Sequence, residues 1–133
     1  MAIIKKMSVL IVDDNEMTRT LLRSIIQGDS YEVVGEANNG VLGLERALKL
    51  RPDIICLDVS MPDKDGLEVL LEIKKDLEYT MVLMVTASRD TETVRQAIKN
   101  GASGFILKPF VMGTVLDTLE SVSMKLRELI KTK

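Results

Sequence analysis

The 133-residue chain contains no histidine. That absence excludes a His general base, a His-activated nucleophile and a His-ligated metal, and with them most hydrolase and zinc-centre chemistry. Cysteine is nearly absent too. Cys56 stands alone, so no disulfide forms within the chain, and a reducing, cytoplasmic setting is expected. Its place inside an apolar run reads as a small core residue rather than a reactive thiol. An excess of one charge is also missing: a formal net charge of −2 offers no field for nucleic acid. The basic tail "KLRELIKTK" reads as a solvated helix end. Long apolar runs are lacking, because acids cut short "MSVLIVDD" and "DIICLD", and no membrane insertion is expected. The opening "MAIIKKM" is far too short for a secretory signal.

What remains, 46% hydrophobic and 29% charged, is the composition of an ordinary globular chain long enough for one domain with a real core. Apolar runs and helical patterns alternate along it. "SVLIVD", "YEVVGEA", "DIICLD", "MVLMVTA" and "GFILK" read as five short buried strands. Between them lie helices whose apolar stripes are Met17, Leu21, Leu22, Ile25 and Ile26, then Val41, Leu44, Ala47 and Leu48, then Leu67, Leu70, Leu71 and Ile73. "TETVRQAIKN" forms a fourth helix ended by Gly101, and a long fifth, from about Met112, carries Val115, Leu119, Val122, Leu126 and Leu129. No repeat, linker or low-complexity segment interrupts the order. Strict alternation predicts an α/β, doubly wound parallel sheet of five strands with helices on both faces.

In such folds chemistry gathers beyond the carboxyl ends of the strands. Here the first strand ends on Asp13 and Asp14, the third on Asp58, the fourth on Thr86 and the fifth on Lys108. The second ends on Ala37, with nothing reactive. Each residue alone has a plainer reading: helix capping for the Asp13–Asp14–Asn15 run, a β-former at a strand end for Thr86, a surface lysine for Lys108. Five together on one edge mark that edge as the site.

Three carboxylates brought together repel, and a divalent ion removes the conflict. Mg²⁺ suits them, being a hard cation that accepts one or two carboxylates, waters and a phosphate oxygen. With Mg²⁺, Lys108 as a point charge and Thr86 as a hydroxyl donor, the edge can hold a phosphoryl group. Asp58 is then the candidate nucleophile for an aspartyl-phosphate.

The runs "VDDN" at 12–15, "LDVSMPDKDG" at 57–66, "VTAS" at 85–88 and "GASGFILKPF" at 101–110 resemble, in order and spacing, the receiver domain of two-component response regulators. The resemblance covers nearly the whole chain. It implies a flavodoxin-like strand order 2-1-3-4-5, with residues 1–133 as a single receiver domain whose core spans about 7–131. It further implies that Asp58 is the phosphoacceptor and that Asp13, Asp14, Asp58 and the backbone carbonyl of Ser60 ligate Mg²⁺. Thr86 and Phe105 match the switch pair, Lys108 matches the cation that contacts the phosphoryl group, and the Lys108–Pro109 peptide is expected to be cis. Phe105 departs from the tyrosine often found there. Ser60 and Ser88 occupy the two positions that tune phosphoryl lifetime.

The function so implied is a bacterial, phosphorylation-controlled switch. A sensor histidine kinase or phosphotransfer protein donates the phosphoryl group, and the face formed by helix 4, strand 5 and helix 5 changes its binding to a downstream protein target. The protein is expected as a monomer or a phosphorylation-dependent dimer, and a stand-alone regulator is favoured over a receiver cut from a larger protein. An enzyme alternative is a Mg²⁺-dependent phosphohydrolase that forms an aspartyl-phosphate with external substrates. Such enzymes of the haloacid-dehalogenase type usually show D-x-D after the first strand, where this chain has "DDNE". A phosphate-independent interaction domain is a third reading, against which the full acidic set argues.

Overall fold

The computed structural model describes residues 5–131; the first four residues of "MAIIKKM" and the last two of the basic tail lie outside the described residues. Among the described residues, five strands alternate with five helices. They are β1 (Met7–Val12), α1 (Glu16–Ile26), β2 (Tyr31–Ala37), α2 (Gly40–Leu50), β3 (Ile54–Asp58), α3 (Gly66–Asp76), β4 (Met81–Thr86), α4 (Thr91–Lys99), β5 (Gly104–Leu107) and α5 (Met112–Lys131). The strands form one parallel sheet in the order β2-β1-β3-β4-β5. The order reverses beside β1, which brings the carboxyl ends of β1 and β3 together.

Every residue of β3 and β4 is buried, as continuously apolar strands covered on both faces must be. Side chains alternate between two cores along each strand. Val9, Ile11, Ile54, Cys56, Leu83 and Val85 pack on one side with Leu22 and Ile26 of α1 and Leu119 and Val122 of α5. Leu10, Val12, Ile55, Leu57, Val82 and Met84 pack on the other with Ala47 of α2, Leu70 and Ile73 of α3 and Ala97 of α4. Burial pushes the Cys56 thiol up to about 12, so it carries no thiolate at neutral pH and serves as core.

The helical stripes need correction. Met17, Leu21, Val41, Leu48, Leu71 and Leu129 are exposed. In α2 the buried positions are Ala47, as the stripe has it, and the two glycines Gly40 and Gly43. A Cβ on Gly43 would sit 2.7 Å from Val12 Cγ1, so this helix packs too close to β1 for a larger side chain. Hydrophobic patterning cannot mark a glycine as buried. Among the described residues, no helix is long and apolar enough to cross a membrane.

Candidate functional site

Local capping decides what the acids after β1 are free to do. Asn15 is the N-cap of α1, its side chain accepting from Thr18 N at 2.9 Å. The acids are thereby released from that task. Asp13 Oδ1 accepts from Asn15 N at 2.9 Å, while Asp13 Oδ2, fully buried, has no hydrogen-bond partner among the described residues. A buried carboxylate oxygen without a donor is costly unless a cation compensates it.

Asp13, Asp14 and Asp58 each bring one oxygen to within 4.8 Å of the others. Asp13 and Asp58 are 1% and 5% exposed, whereas Asp14 faces solvent. Lys108 approaches from the end of β5, its Nζ 3.5 Å from Asp13 Oδ2 and 3.8 Å from Asp58 Oδ1. These are separations of facing ions rather than of hydrogen bonds. The Lys108–Pro109 peptide is cis. Ser60 N donates to Asp58 Oδ1 at 3.3 Å, folding the β3–α3 loop back onto the carboxylate.

The electrostatics follow from that crowding. Burial first, and then the charges of Asp13 and, more weakly, Asp14, push the Asp58 carboxyl up to about 6. Lys108 and the Ser60 N–H pull the other way without cancelling the rise. The donors are all hard oxygens, and their spread is only a little wider than the about 4.2 Å across an octahedral Mg²⁺ shell. With Asp13 Oδ2 also left without a donor, the residues present fit a small divalent cation.

Thr86 and Phe105 sit on paired strands, but not opposite one another. Phe105 pairs with Met84 and Thr86 with Leu107, so the two share a sheet face one pleat repeat apart. The Thr86 hydroxyl is engaged locally, accepting from Ser88 N at 3.0 Å. Ser88 Oγ in turn accepts from Asp90 N, and Asp90 caps α4 by accepting from Thr93 N. Phe105 is half-buried against the core that contains Ala97 of α4.

The structure thus brings together Asp13, Asp14, Asp58 and Lys108, with Ser60 adjoining through its backbone and Thr86 turned into its own loop. Reading strand ends overlooked Arg19 and Glu36, which meet behind Asp13. Neither ends a strand, and no local pattern marks a contact between residues so far apart in the chain.

Residues 9–120 match the family model described as "Response regulator receiver domain". The chain is 39% identical to the chemotaxis protein CheY of Listeria monocytogenes over 117 residues, 88% of this chain and 98% of that protein. It is 40% identical to the CheY of Thermotoga maritima over 115 residues, covering 86% and 96% of the two chains. Among solved structures, the REC domain of AraT, a response regulator from Geobacillus stearothermophilus, superposes with a TM-score of 0.87 at 29% identity, covering 97% of this chain and all of that one. Vibrio cholerae CheY4 superposes with a TM-score of 0.80 at 32% identity, covering 89% and 99%. Fold, acidic cluster and sequence agree: the chain belongs to the response regulator receiver domain family of two-component signalling.

Proposed function

We propose that the protein is a phosphorylation-controlled switch in which Asp58 accepts a phosphoryl group. The carrying observation is the position of Asp58: buried at the end of β3, with Asp13 and Asp14 within 4.8 Å and Lys108 Nζ at 3.8 Å. A phosphohistidine of a sensor kinase or phosphotransfer protein is the proposed donor. An Asp58 carboxylate oxygen bonds to phosphorus as the bond from phosphorus to the donor nitrogen breaks, and the donor imidazole takes up a proton. Asp13, Asp14, Asp58 and the Ser60 carbonyl would hold Mg²⁺, which when bound neutralises charge on the phosphoryl oxygens. Lys108 supplies a positive charge beside the Asp58 carboxylate, and Thr86 a hydroxyl donor. The family assignment favours this switch over a phosphohydrolase with external substrates, and the proposed setting is the bacterial cytoplasm. Incubation with phosphoramidate, a small nitrogen–phosphorus donor, tests the reading by intact mass. One phosphoryl adduct is expected with Mg²⁺ and none with excess chelator; a metal-independent adduct, or none at all, overturns it.

Asp14 is the one exposed carboxylate among the proposed ligands, so its removal perturbs the core least. Asp14→Ala is expected to be as stable as the wild type or more so without metal, because like-charge repulsion is relieved. It should also lose the Mg²⁺-induced rise in melting temperature. A wild-type response to Mg²⁺ in this variant would remove Asp14 from the ligand set.

The switch would run from Thr86 to the face of α4, β5 and α5, where the downstream partner is proposed to bind. Turning the Thr86 hydroxyl toward a phosphoryl oxygen gives up its donation to Ser88 O at 3.3 Å along with its bond from Ser88 N, and vacates room beside β5 that Phe105 can fill. Burying a phenylalanine contributes roughly 1.5–3 kcal/mol, about ten- to a hundredfold in a two-state equilibrium. Phe105 leaves no hydroxyl unsatisfied when it moves inward, so the inward state is expected to be partly populated before phosphorylation. NMR signals around Thr86, Phe105 and α4 should be exchange-broadened, then collapse to one set with a beryllofluoride mimic, and Thr86→Ala should uncouple the two. Sharp signals unchanged by the mimic would contradict this.

A further inference from the structure

Glu36, on β2, is ringed by arginines. Arg19 and Arg23 of α1 pair with its carboxylate, and Arg46 of α2 donates to its backbone carbonyl. Only Arg19 reaches on toward the acidic edge. Its Nε donates to Glu36 Oε1 at 3.0 Å, while Nη1 donates to the main-chain carbonyl of Asp13 at 2.7 Å. The two side chains of this ion pair are 15% and 19% exposed, unlike the solvated pairs whose geometry is loose.

Asp13 is thereby tied at every polar atom but one. Its N–H donates to Ala37 O at 3.0 Å, its carbonyl accepts from Arg19, and its Oδ1 accepts from Asn15 N. The remaining atom, Oδ2, is the buried oxygen without a hydrogen bond among the described residues, and it faces Lys108 Nζ at 3.5 Å. We propose that Arg19, oriented by Glu36, is a positioning residue: by gripping the Asp13 carbonyl it keeps Oδ2 at the metal-binding point. The proposal rests on reading this edge as a Mg²⁺ site.

The sign of one effect separates positioning from mere charge. Arg19 is a cation close to a cation site. If it acted only through its field, removing it would tighten Mg²⁺ binding. If it positions Asp13, removing it weakens binding, as loss of a partner behind a metal ligand typically does. Arg23 supplies the matching control, since it shares Glu36 but has no hydrogen bond to Asp13.

The test is a calorimetric titration of the full chain with MgCl₂ alone, with no phosphodonor. Arg19→Ala is expected to raise the Mg²⁺ Kd about tenfold or more, and Arg23→Ala to leave it within about twofold. With acetyl phosphate, Arg19→Ala should need more Mg²⁺ for half-maximal phosphorylation yet approach the wild-type rate at saturation. An unchanged or lower Kd in Arg19→Ala, an equal loss in Arg23→Ala, or a rate deficit that persists at saturating Mg²⁺ would each overturn the proposal. Should Arg19→Ala fail to fold, Arg19→Lys, with one ammonium for two acceptors, takes its place: a Kd raised about threefold supports the clamp, and an unchanged one overturns it. Absence of Mg²⁺ binding by the wild type would instead overturn the metal-site reading beneath it.

Discussion

Adding one methyl group at Gly66 is expected to lower the melting temperature by about 10 °C or more. Gly66 begins α3 directly beneath the end of β3, and its N–H donates to Val59 O at 2.9 Å. An alanine Cβ there would lie 2.2 Å from the Asp58 carbonyl oxygen, 2.8 Å from Val59 Cα and 2.9 Å from Val59 O. All three are main-chain atoms, so no side-chain rotation relieves the overlap. Either the start of α3 or the end of β3 must move, at a cost of roughly 3 kcal/mol or more. Because the displaced atoms belong to Asp58 and its loop, phosphoryl uptake should fall with stability. A Gly66→Ala protein that melts within about two degrees of the wild type would show that the helix start yields more easily than the geometry indicates.

Asp58→Asn should do the opposite. The Asp58 carboxyl is held up to about 6 from an ordinary 3.8. Between those values the folded state binds more protons than the unfolded state, so stability falls as pH rises through that window. Above pH 6 the full penalty of the buried, repelled carboxylate is present, about 2–3 kcal/mol. Asparagine is neutral throughout and its amide can donate toward the unpartnered Asp13 Oδ2. The metal-free variant should therefore be more stable than the wild type by about that amount at pH 7.5, with the gap closing toward pH 4. Mg²⁺ should narrow the gap at pH 7.5, since it relieves the wild type more. Urea denaturation across that pH range, with chelator and with Mg²⁺, measures it. A gap independent of pH would mean that Asp58 is not the strained group.

Much of this was legible in the residues. The strands are continuous apolar runs bounded by turns and acids, and each observed strand begins and ends within a residue of its reading. The acidic edge was legible for the same reason: parallel strands place their carboxyl ends on one side, so residues at strand ends converge. What sequence could not show is which apolar residues of a helix meet the sheet. Met17 and Leu21 extend the apolar stripe of α1, but only Leu22 and Ile26 are fully buried beneath it. Gly40 and Gly43 take core positions in α2 because close approach, rather than apolar area, is needed there. The Arg19–Glu36 grip was equally hidden. It joins a helix, a neighbouring strand and a backbone carbonyl, and depends on register that only folding reveals.

Intact mass after incubation with acetyl phosphate and Mg²⁺ decides whether Asp58 is the phosphoryl acceptor. Wild-type protein should gain one phosphoryl group and lose it on standing, while Asp58→Asn, folded and more stable at neutral pH, should gain none. An adduct of equal yield on Asp58→Asn would place the acceptor elsewhere in the chain.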